Sequence, residues 1–255
     1  MFMVELPLDA LKLIRCAKSF GHESDHDEDF GYAVHAWLSA ALGDLAPKPF
    51  RVFEGKNGLR LLGYCPHDIR TLHEYACSFA DPTVLEACDW AIAAGKAMPV
   101  KWIVGRRLGF EVRVCPISRG DCERDVFLAA LDRARKNGEP LPGRVEVYLS
   151  WLIHRMKAAT KPNGGYINLD GSILPPTVEL WPDGVFLTGF RRIKCKRQFH
   201  PKRTGQIRKI ERPDALFRGD LTVRDPETFA AMLAHGIGRH RAFGFGMMLL
   251  RPPGA

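Results

Sequence analysis

The first hundred residues alternate between helical and strand spacing of their apolar positions. Apolar side chains recur every three or four residues before Gly43, which predicts an amphipathic helix that ends at this glycine. The pattern predicts, in order, a strand at Met3–Leu6, a helix from about Asp29 to Leu42, strands at Phe50–Phe53 and Leu59–Tyr64, and a helix at about Asp68–Ala80. The order strand, helix, strand, strand, helix is most of a ferredoxin-like unit.

A second series of elements begins after the proline and basic residues around Met98–Arg107. The predicted strands are Phe110–Cys115, Tyr166–Leu169, Thr177–Trp181, Val185–Arg192, Asp220–Val223 and Met247–Leu250, and the predicted helices are Glu123–Lys136, about Val145–Ala159 and one capped by Asp225. We therefore expect an α+β protein of two tandem ferredoxin-like (RRM-like) domains, residues 1–97 and 98–255.

The positive charge of the chain is concentrated in one stretch. The formal net charge is +8, and residues 191–212, here called the basic segment, hold ten cationic side chains against the single acid Glu211. The cations are Arg191, Arg192, Lys194, Lys196, Arg197, Lys202, Arg203, Arg208, Lys209 and Arg212. A localised basic patch favours a nucleic-acid partner. A solvated basic loop and a contact for an acidic protein remain alternatives.

The cysteines and the distribution of apolar residues indicate the compartment in which we expect the protein. Its seven cysteines are scattered without a C-x-x-C pair, which is typical of reduced intracellular cysteines. Acidic residues interrupt the N-terminal apolar positions, so no signal peptide is predicted, and no apolar run is long enough to cross a bilayer. We expect a cytoplasmic protein.

The stretch Gly236–Gly246, here called the glycine loop, is the most distinctive motif. Glycines allow close backbone approach to a ligand, exposed backbone N–H groups bind anions, and arginines add phosphate recognition. The predicted contacts are Gly236, Gly238, Arg239, Arg241, Gly244 and Gly246. A tight turn before the last strand is the alternative. The loop matches neither a P-loop nor a dinucleotide-binding turn, so no nucleotide cofactor is expected.

Histidine is the natural general acid or base near neutral pH. His35 and Tyr32 project from one side of the first predicted helix, beside its core-facing stripe. The run from His22 to Asp29 contains two histidines and five carboxylates, but its spacing matches no compact metal motif. We interpret this run as a solvated acidic loop and expect no metal.

These residues together resemble the CasE family, the CRISPR repeat-RNA endoribonucleases of type I-E systems. The run Phe217–Pro226, then Phe229 and the glycine loop, is similar to the family's ending G-x-L-x-V-x-D-P…F…GIGRxxAFGxG. Tyr148–Leu152 resembles the central helix of the family, and Tyr32-x-x-His35-x-x-Leu38 resembles its catalytic helix.

The resemblance implies two ferredoxin-like domains and metal-independent cleavage of precursor CRISPR RNA at a repeat hairpin. It implies that His35 is the general acid or base, that Tyr32 assists near the 2′-OH, and that the products are a 2′,3′-cyclic phosphate and a 5′-OH. The glycine loop would hold the RNA backbone, and the basic segment would grip the hairpin. The mature guide RNA would stay bound in a Cascade complex.

Two departures from the family pattern leave alternatives open. Ser39 follows the helix leucine where the family usually has Trp, and Trp37 is displaced; the acidic run before the helix is also unusual. His22 or His26 is therefore the alternative acid. A non-catalytic RNA-binding subunit, and an unrelated ferredoxin-like protein with an acidic partner, are the competing hypotheses.

Overall fold

A computed structural model describes residues 1–20, 30–55, 58–119, 123–158, 176–197 and 208–254. The strands are β1 (Phe2–Leu8), β2 (Phe50–Gly55), β3 (Gly58–Cys65), β4 (Ala94–Ala97), β5 (Arg107–Val114), β6 (Ile117–Arg119), β7 (Glu123–Asp125), β8 (Val178–Arg197), β9 (Arg208–Val223) and β10 (Met248–Arg251). The helices are α1 (Ala10–Ser19), α2 (Phe30–Leu42), α3 (Ile69–Phe79), α4 (Pro82–Leu85), α5 (Val126–Asn137), α6 (Arg144–Ala158) and α7 (Pro226–His235), with short 3₁₀ turns at Gly43–Leu45 and Arg241–Phe243.

Two four-stranded antiparallel sheets have the same topology, and each sheet together with the helices packed on it is here called a unit. The first sheet has the order β2-β3-β1-β4 and the second has the order β10-β5-β9-β8. In both, the first and third strands of the unit lie in the centre, with the fourth strand beside the first and the second beside the third. This is the ferredoxin-like arrangement, so the predicted fold class is confirmed. The domain boundary at residues 97 and 98 stays a prediction.

Each sheet packs its helices on one face. In the first unit, Val34, Trp37 and Leu38 of α2 are buried against strand residues such as Val4 and Leu61. In the second unit, helices α6 and α7 cover the sheet; the buried side chains there are Phe110, Val112, Tyr148, Leu152, Phe217, Phe229, Met232 and Leu233. These apolar faces explain the helical spacing of the sequence.

A smaller apolar cluster joins the two units. Leu62 and Tyr64 of β3 are buried with Met247, just before β10. The Tyr64 hydroxyl donates a 2.9 Å hydrogen bond to the Met248 carbonyl, and Arg51 of β2 is ion-paired with Glu111 of β5. Burial raises the pKa of the Tyr64 phenol, which therefore stays protonated as the donor. These contacts join the first sheet to the second through β2 and β3 on one side and β5 and β10 on the other.

Several predicted elements need correction. The two strands predicted at Thr177–Trp181 and Val185–Arg192 are one strand, β8, whose register with β9 is irregular between Leu180 and Val185. Residues 123–125, predicted as helix, form β7, because the helix begins only after its N-cap Asp125. The predicted strand at residues 166–169 lies outside the described residues.

Several of the described elements escaped the prediction, among them α1 and β4. Helix α1 is capped by Asp9, which accepts bonds from the backbone N–H groups of Leu11 and Lys12. Strand β4 consists of Ala-Gly-Lys-Ala and is exposed throughout, so it carries no apolar alternation. Within the described residues, no helix has the length and apolar character needed to cross a membrane.

Candidate functional site

The predicted catalytic pair, Tyr32 and His35, lies on α2 where this helix contacts the glycine loop. The Tyr32 ring stacks on the Phe243 ring with centroids 5.8 Å apart and planes 5° apart. The His35 ring meets the same phenylalanine edge-on, with centroids 4.9 Å apart. Both members of the pair are half-buried, while their helix buries Val34 and Trp37 on its other side. One aromatic side chain from the second unit therefore touches both predicted catalytic side chains.

The glycine loop closes on itself. The Ile237 N–H donates to the Gly246 carbonyl at 2.8 Å, and the Gly246 N–H donates to the Arg113 carbonyl of β5 at 2.7 Å. Gly246 has φ = +80°, and a Cβ there would lie 2.4 Å from the Ile237 oxygen. Gly236 has φ = +73°, and a Cβ would lie 2.8 Å from the Gly246 oxygen. These two glycines are required by the loop's own packing, whether or not RNA contacts them.

Gly238 and Gly244, the other predicted glycine contacts, also have positive φ. A Cβ on Gly238 would come within 2.9 Å of the Trp151 ring of α6, and one on Gly244 would lie 3.5 Å from the Phe50 ring of β2. The loop is thus fitted between both units. Its predicted contact with the RNA backbone stays a prediction.

A partly buried charge cluster anchors the loop at His240. The His240 Nδ1 lies 2.9 Å from a guanidinium nitrogen of Arg212, and its Nε2 lies 3.1 Å from a carboxylate oxygen of Glu123. Glu123 also accepts bonds from Arg239 at 2.9 Å and from Arg212 at 3.3 Å. His240 has φ = +61°, a conformation that is uncommon outside glycine. The cluster ties the loop to β7 and β9.

Burial, with the nearby Arg212 charge, lowers the pKa of His240 from 6.5 to about 4, although Glu123 acts in the opposite direction. His240 is therefore neutral at pH 7. Since arginine can only donate, Nδ1 is the acceptor and the proton is on Nε2, where it is donated to Glu123. His240 thus holds the loop in place, and its protonation state does not change near neutral pH.

The two arginines of the glycine loop already have partners within the protein. Arg239 is bound to Glu123, and Arg241 donates to the carbonyl of His235 at the end of α7. Both were predicted to contact phosphate. The structure gives each a role in folding the loop, and their contact with RNA stays a prediction.

The described part of the basic segment lies on the paired strands β8 and β9. Arg191 pairs with Asp214 at 2.7 Å, and Arg192 pairs with Glu211 at 3.5 Å. The same two strands also contain Lys194, Lys196, Arg197, Arg208 and Lys209. Lys202 and Arg203 lie outside the described residues, as do the alternative acids His22 and His26. Across the residues that are described, no three His, Cys, Asp or Glu side chains are grouped as a metal site would require.

An open cavity of about 290 Å³ begins beside the predicted catalytic pair and lies between the two units. Its lining residues are Phe30, Gly31, Arg51, Val52, Glu54, Arg113, Gly189, Phe190, Arg191, Asp214 and Leu216. Phe30 and Gly31 are the first residues of α2, so this part of the cavity lining directly precedes Tyr32 in the helix. Three arginines and two carboxylates give the cavity a mixed charge.

Buried carboxylates hold the cavity arginines in place. Asp214 accepts two bonds from Arg113, at 2.8 and 2.9 Å, and a third from Arg191. Burial alone would raise the pKa of Asp214, but the bonds and charges of Arg113 and Arg191 outweigh it and hold this pKa below its usual range. Glu111 is shared in the same way by Arg51 and Arg218, and its pKa is also lowered against the effect of burial.

Sequence reasoning missed several residues that build this site. Phe243 stood within the recognised loop motif, directly before Gly244, and its place in that motif was the only local sign of a special role. Glu123, His240 and Asp214 carry no local signal, because their partners lie far away in the sequence.

Comparisons with known proteins identify a family and solved structures of similar fold. A family model described as "CRISPR associated protein" matches residues 1–252. A solved structure of CRISPR endoribonuclease Cse3 bound to a 19-nucleotide RNA has 19% identity and a TM-score of 0.58, and the match covers 99% of this chain and 100% of that chain.

A Thermus thermophilus Cse3 bound to an RNA representing a pre-cleavage complex has 18% identity and a TM-score of 0.53, with 98% of both chains covered. A chain of a CRISPR RNA-guided surveillance complex has 16% identity and a TM-score of 0.50, with 99% of this chain and 100% of that chain covered. These likenesses show a shared fold. No curated protein matches the sequence significantly.

Proposed function

The chain belongs to the CRISPR-associated protein family, and from this premise we propose that it binds the hairpin of CRISPR repeat RNA and cuts the precursor transcript beside it. The proposal is supported by the family match over residues 1–252 and by the fold shared with Cse3 endoribonuclease structures that hold RNA. The basic hairpin strands of the second unit supply the charge that an RNA partner requires.

The observation that carries the proposal is the contact of Tyr32 and His35 with Phe243. It brings a histidine and a phenol, both half-buried, to the junction of the two units and against the glycine loop. The arginine-lined cavity opens next to them. Protonatable groups beside fixed cations are what phosphodiester cleavage needs, because protons must move while negative charge develops on the phosphate.

The proposed reaction is an internal transfer at the phosphate. The ribose 2′-OH loses its proton and attacks the adjacent phosphorus, and the P–O5′ bond breaks as the leaving oxygen gains a proton. The products are a 2′,3′-cyclic phosphate and a 5′-OH, with no water consumed. His35 serves as the general acid or base, and Tyr32, one helical turn away, orients the reacting ribose or assists the proton transfer.

Binding of the hairpin is assigned mainly to the basic segment. A-form RNA presents its phosphates and its shape more readily than its base edges, so a basic β-hairpin suits it. Arg191 and Arg192 stand half-exposed on β8, where they are accessible to phosphates. We further propose that the mature RNA stays bound and that the protein joins a Cascade-type complex, in keeping with its likeness to a chain of an RNA-guided surveillance complex.

The test is cleavage of the repeat RNA encoded in the protein's own genome, in EDTA, by the wild type and by His35→Ala. We expect the wild type to cut at one position and leave a cyclic phosphate, and the variant to be slower by about 10²- to 10⁴-fold with hairpin affinity retained. His73→Ala is the matched control, because His73 is an exposed helical histidine stacked on Trp90, away from the site.

Each contrary outcome points to a different alternative. Tight hairpin binding without cleavage by the wild type would indicate a non-catalytic RNA-binding subunit. Equal cleavage by the wild type and His35→Ala would move the chemistry to His22 or His26. Cleavage that EDTA abolishes would contradict the metal-independent mechanism.

A further inference from the structure

The reaction described above draws on the charge of the cavity arginines but assigns no ligand to the interior of the cavity between α2 and the second sheet. We propose that it binds one unpaired nucleotide of the RNA, next to the phosphate that is cut, with the base inside the cavity. This inference rests on the proposed function, since it takes the ligand to be the same RNA. It adds a base-binding subsite to a protein whose other predicted RNA contacts are with the backbone.

The position of the cavity relates it to the site of cleavage. One wall is Phe30 and Gly31, and the predicted catalytic Tyr32 is the next residue of the same helix. The lining also includes Arg113, whose backbone carbonyl accepts a hydrogen bond from Gly246 of the glycine loop and whose guanidinium lies 4.5 Å from the Phe245 ring centroid. A nucleotide in the cavity would therefore be next to a phosphate placed at Tyr32 and His35.

The lining has the mixed chemistry of an unpaired nucleotide. Phe30, Val52 and Leu216 offer apolar surface for the face of a base. Glu54, which is exposed, offers an acceptor to a base amino group, and Arg191 offers a guanidinium to the face or edge of a base. A site for phosphate alone would gain nothing from the apolar wall or from Glu54.

The polar groups of the cavity are fixed before any ligand arrives. Arg113 is held by two bonds to Asp214, and the side chain of Asp214 is only 7% exposed. Arg191 is anchored to the same carboxylate through its Nε, while 57% of its side chain remains exposed. An arginine anchored in this way loses little conformational entropy when it binds a base or a phosphate.

The size of the cavity limits the occupant. Its volume of about 290 Å³ is at the lower end of ligand pockets, which begin at about 300 Å³. This suits a single nucleotide and excludes a base pair or a helical stem. Sequence-specific contacts to RNA are made mostly with unpaired bases, which can enter such pockets.

The experiment measures the affinity of wild-type protein for two uncleavable RNAs. Both contain the repeat hairpin and its unpaired flank, with a 2′-deoxyribose at the attacking position. In one of them, the unpaired nucleotide next to the scissile phosphate is abasic, and each side of that phosphate is tested in turn. Since stacking and edge contacts of one base contribute about tenfold in affinity, we expect the abasic RNA to bind about tenfold more weakly on one side.

Variants then locate the base. Glu54→Gln and Arg191→Gln change exposed side chains, and melting of the free variants checks their folding. We expect both to reduce the difference between the two RNAs to about twofold or less. Arg192→Gln is the matched control: Arg192 is the next residue on β8, is also exposed and paired with one carboxylate, and does not line the cavity. It should weaken both RNAs equally and keep the tenfold difference.

The outcomes separate this inference from the proposed function. Equal affinity of wild type for both RNAs on both sides, with hairpin binding and cleavage intact, would overturn the base subsite alone. So would an Arg191→Gln variant that weakens both RNAs by the same factor, since this indicates a phosphate contact. A wild type that neither binds nor cuts the hairpin would overturn both proposals.

Discussion

The buried state of His240 predicts that the protein loses stability in mild acid. The folded protein holds this histidine neutral down to a pKa of about 4, whereas the unfolded chain protonates it near 6.5. The unfolded state therefore binds one more proton between these two values, and the free energy of unfolding falls as the pH is lowered through this range.

The structure sets the size of the effect. The His240 side chain is 9% exposed, and the guanidinium of Arg212 lies against its Nδ1, so protonation must either displace this arginine or place two cations together. Each pH unit within the window costs about 1.4 kcal/mol, which gives about 2 kcal/mol between pH 6.5 and 5 and about 3 kcal/mol over the whole window. Above pH 6.5 the stabilisation is fully present.

The assay is urea unfolding of the wild type and of His240→Asn at half-unit pH steps from 7 to 5. Asparagine tolerates the positive φ at this position and does not titrate there. We expect the variant to be less stable at pH 7, where it lacks the imidazole contacts, and its deficit to shrink by about 2 kcal/mol by pH 5. His73→Asn, at an exposed position, should keep the wild-type slope. Parallel stability curves for the wild type and His240→Asn would refute the reasoning.

Two further predictions concern the glycine loop. Gly246→Ala should lower the melting temperature by several degrees more than Gly105→Ala. Both positions have φ near +80°, but only at Gly246 would the new Cβ meet a backbone oxygen, that of Ile237. Equal shifts in melting temperature would show that the clash is relieved at no cost. Phe243→Ala should slow cleavage by about 10- to 100-fold with hairpin affinity unchanged, because it removes the ring that both predicted catalytic side chains contact. Phe243→Leu should recover part of the lost rate. Wild-type single-turnover cleavage by Phe243→Ala would contradict this positioning role.

Local pattern was sufficient for much of the fold. The helical spacing of Val34, Leu38 and Leu42 predicted α2 to within a residue, and Asp225 with Pro226 predicted the start of α7. The two strands predicted at Phe50–Phe53 and Leu59–Tyr64 pair as β2 and β3. These features depend on side chains within a few positions of one another, so a single sequence contains them in full.

The elements that were missed show two different causes. Helix α1 had a usable signal, since Asp9 is an N-cap and Leu13, Cys16 and Ala17 form its buried face. Strand β4 had none, because its small, exposed residues form a strand only by pairing with the edge of β1. The break predicted near Trp181 was a register irregularity within a long strand, which depends on its partner β9.

The sequence alone determined the fold class, the concentration of charge in residues 191–212 and the candidates Tyr32 and His35, since each follows from neighbouring residues. Only the tertiary structure decided that Phe243 contacts this pair, that Arg239 is bound to Glu123, and that Asp214 anchors the arginines of a cavity. Most of these contacts join residues more than 100 positions apart. Such long-range pairing comes from the register of the sheets and from the packing of the two units. No local spacing encodes either one.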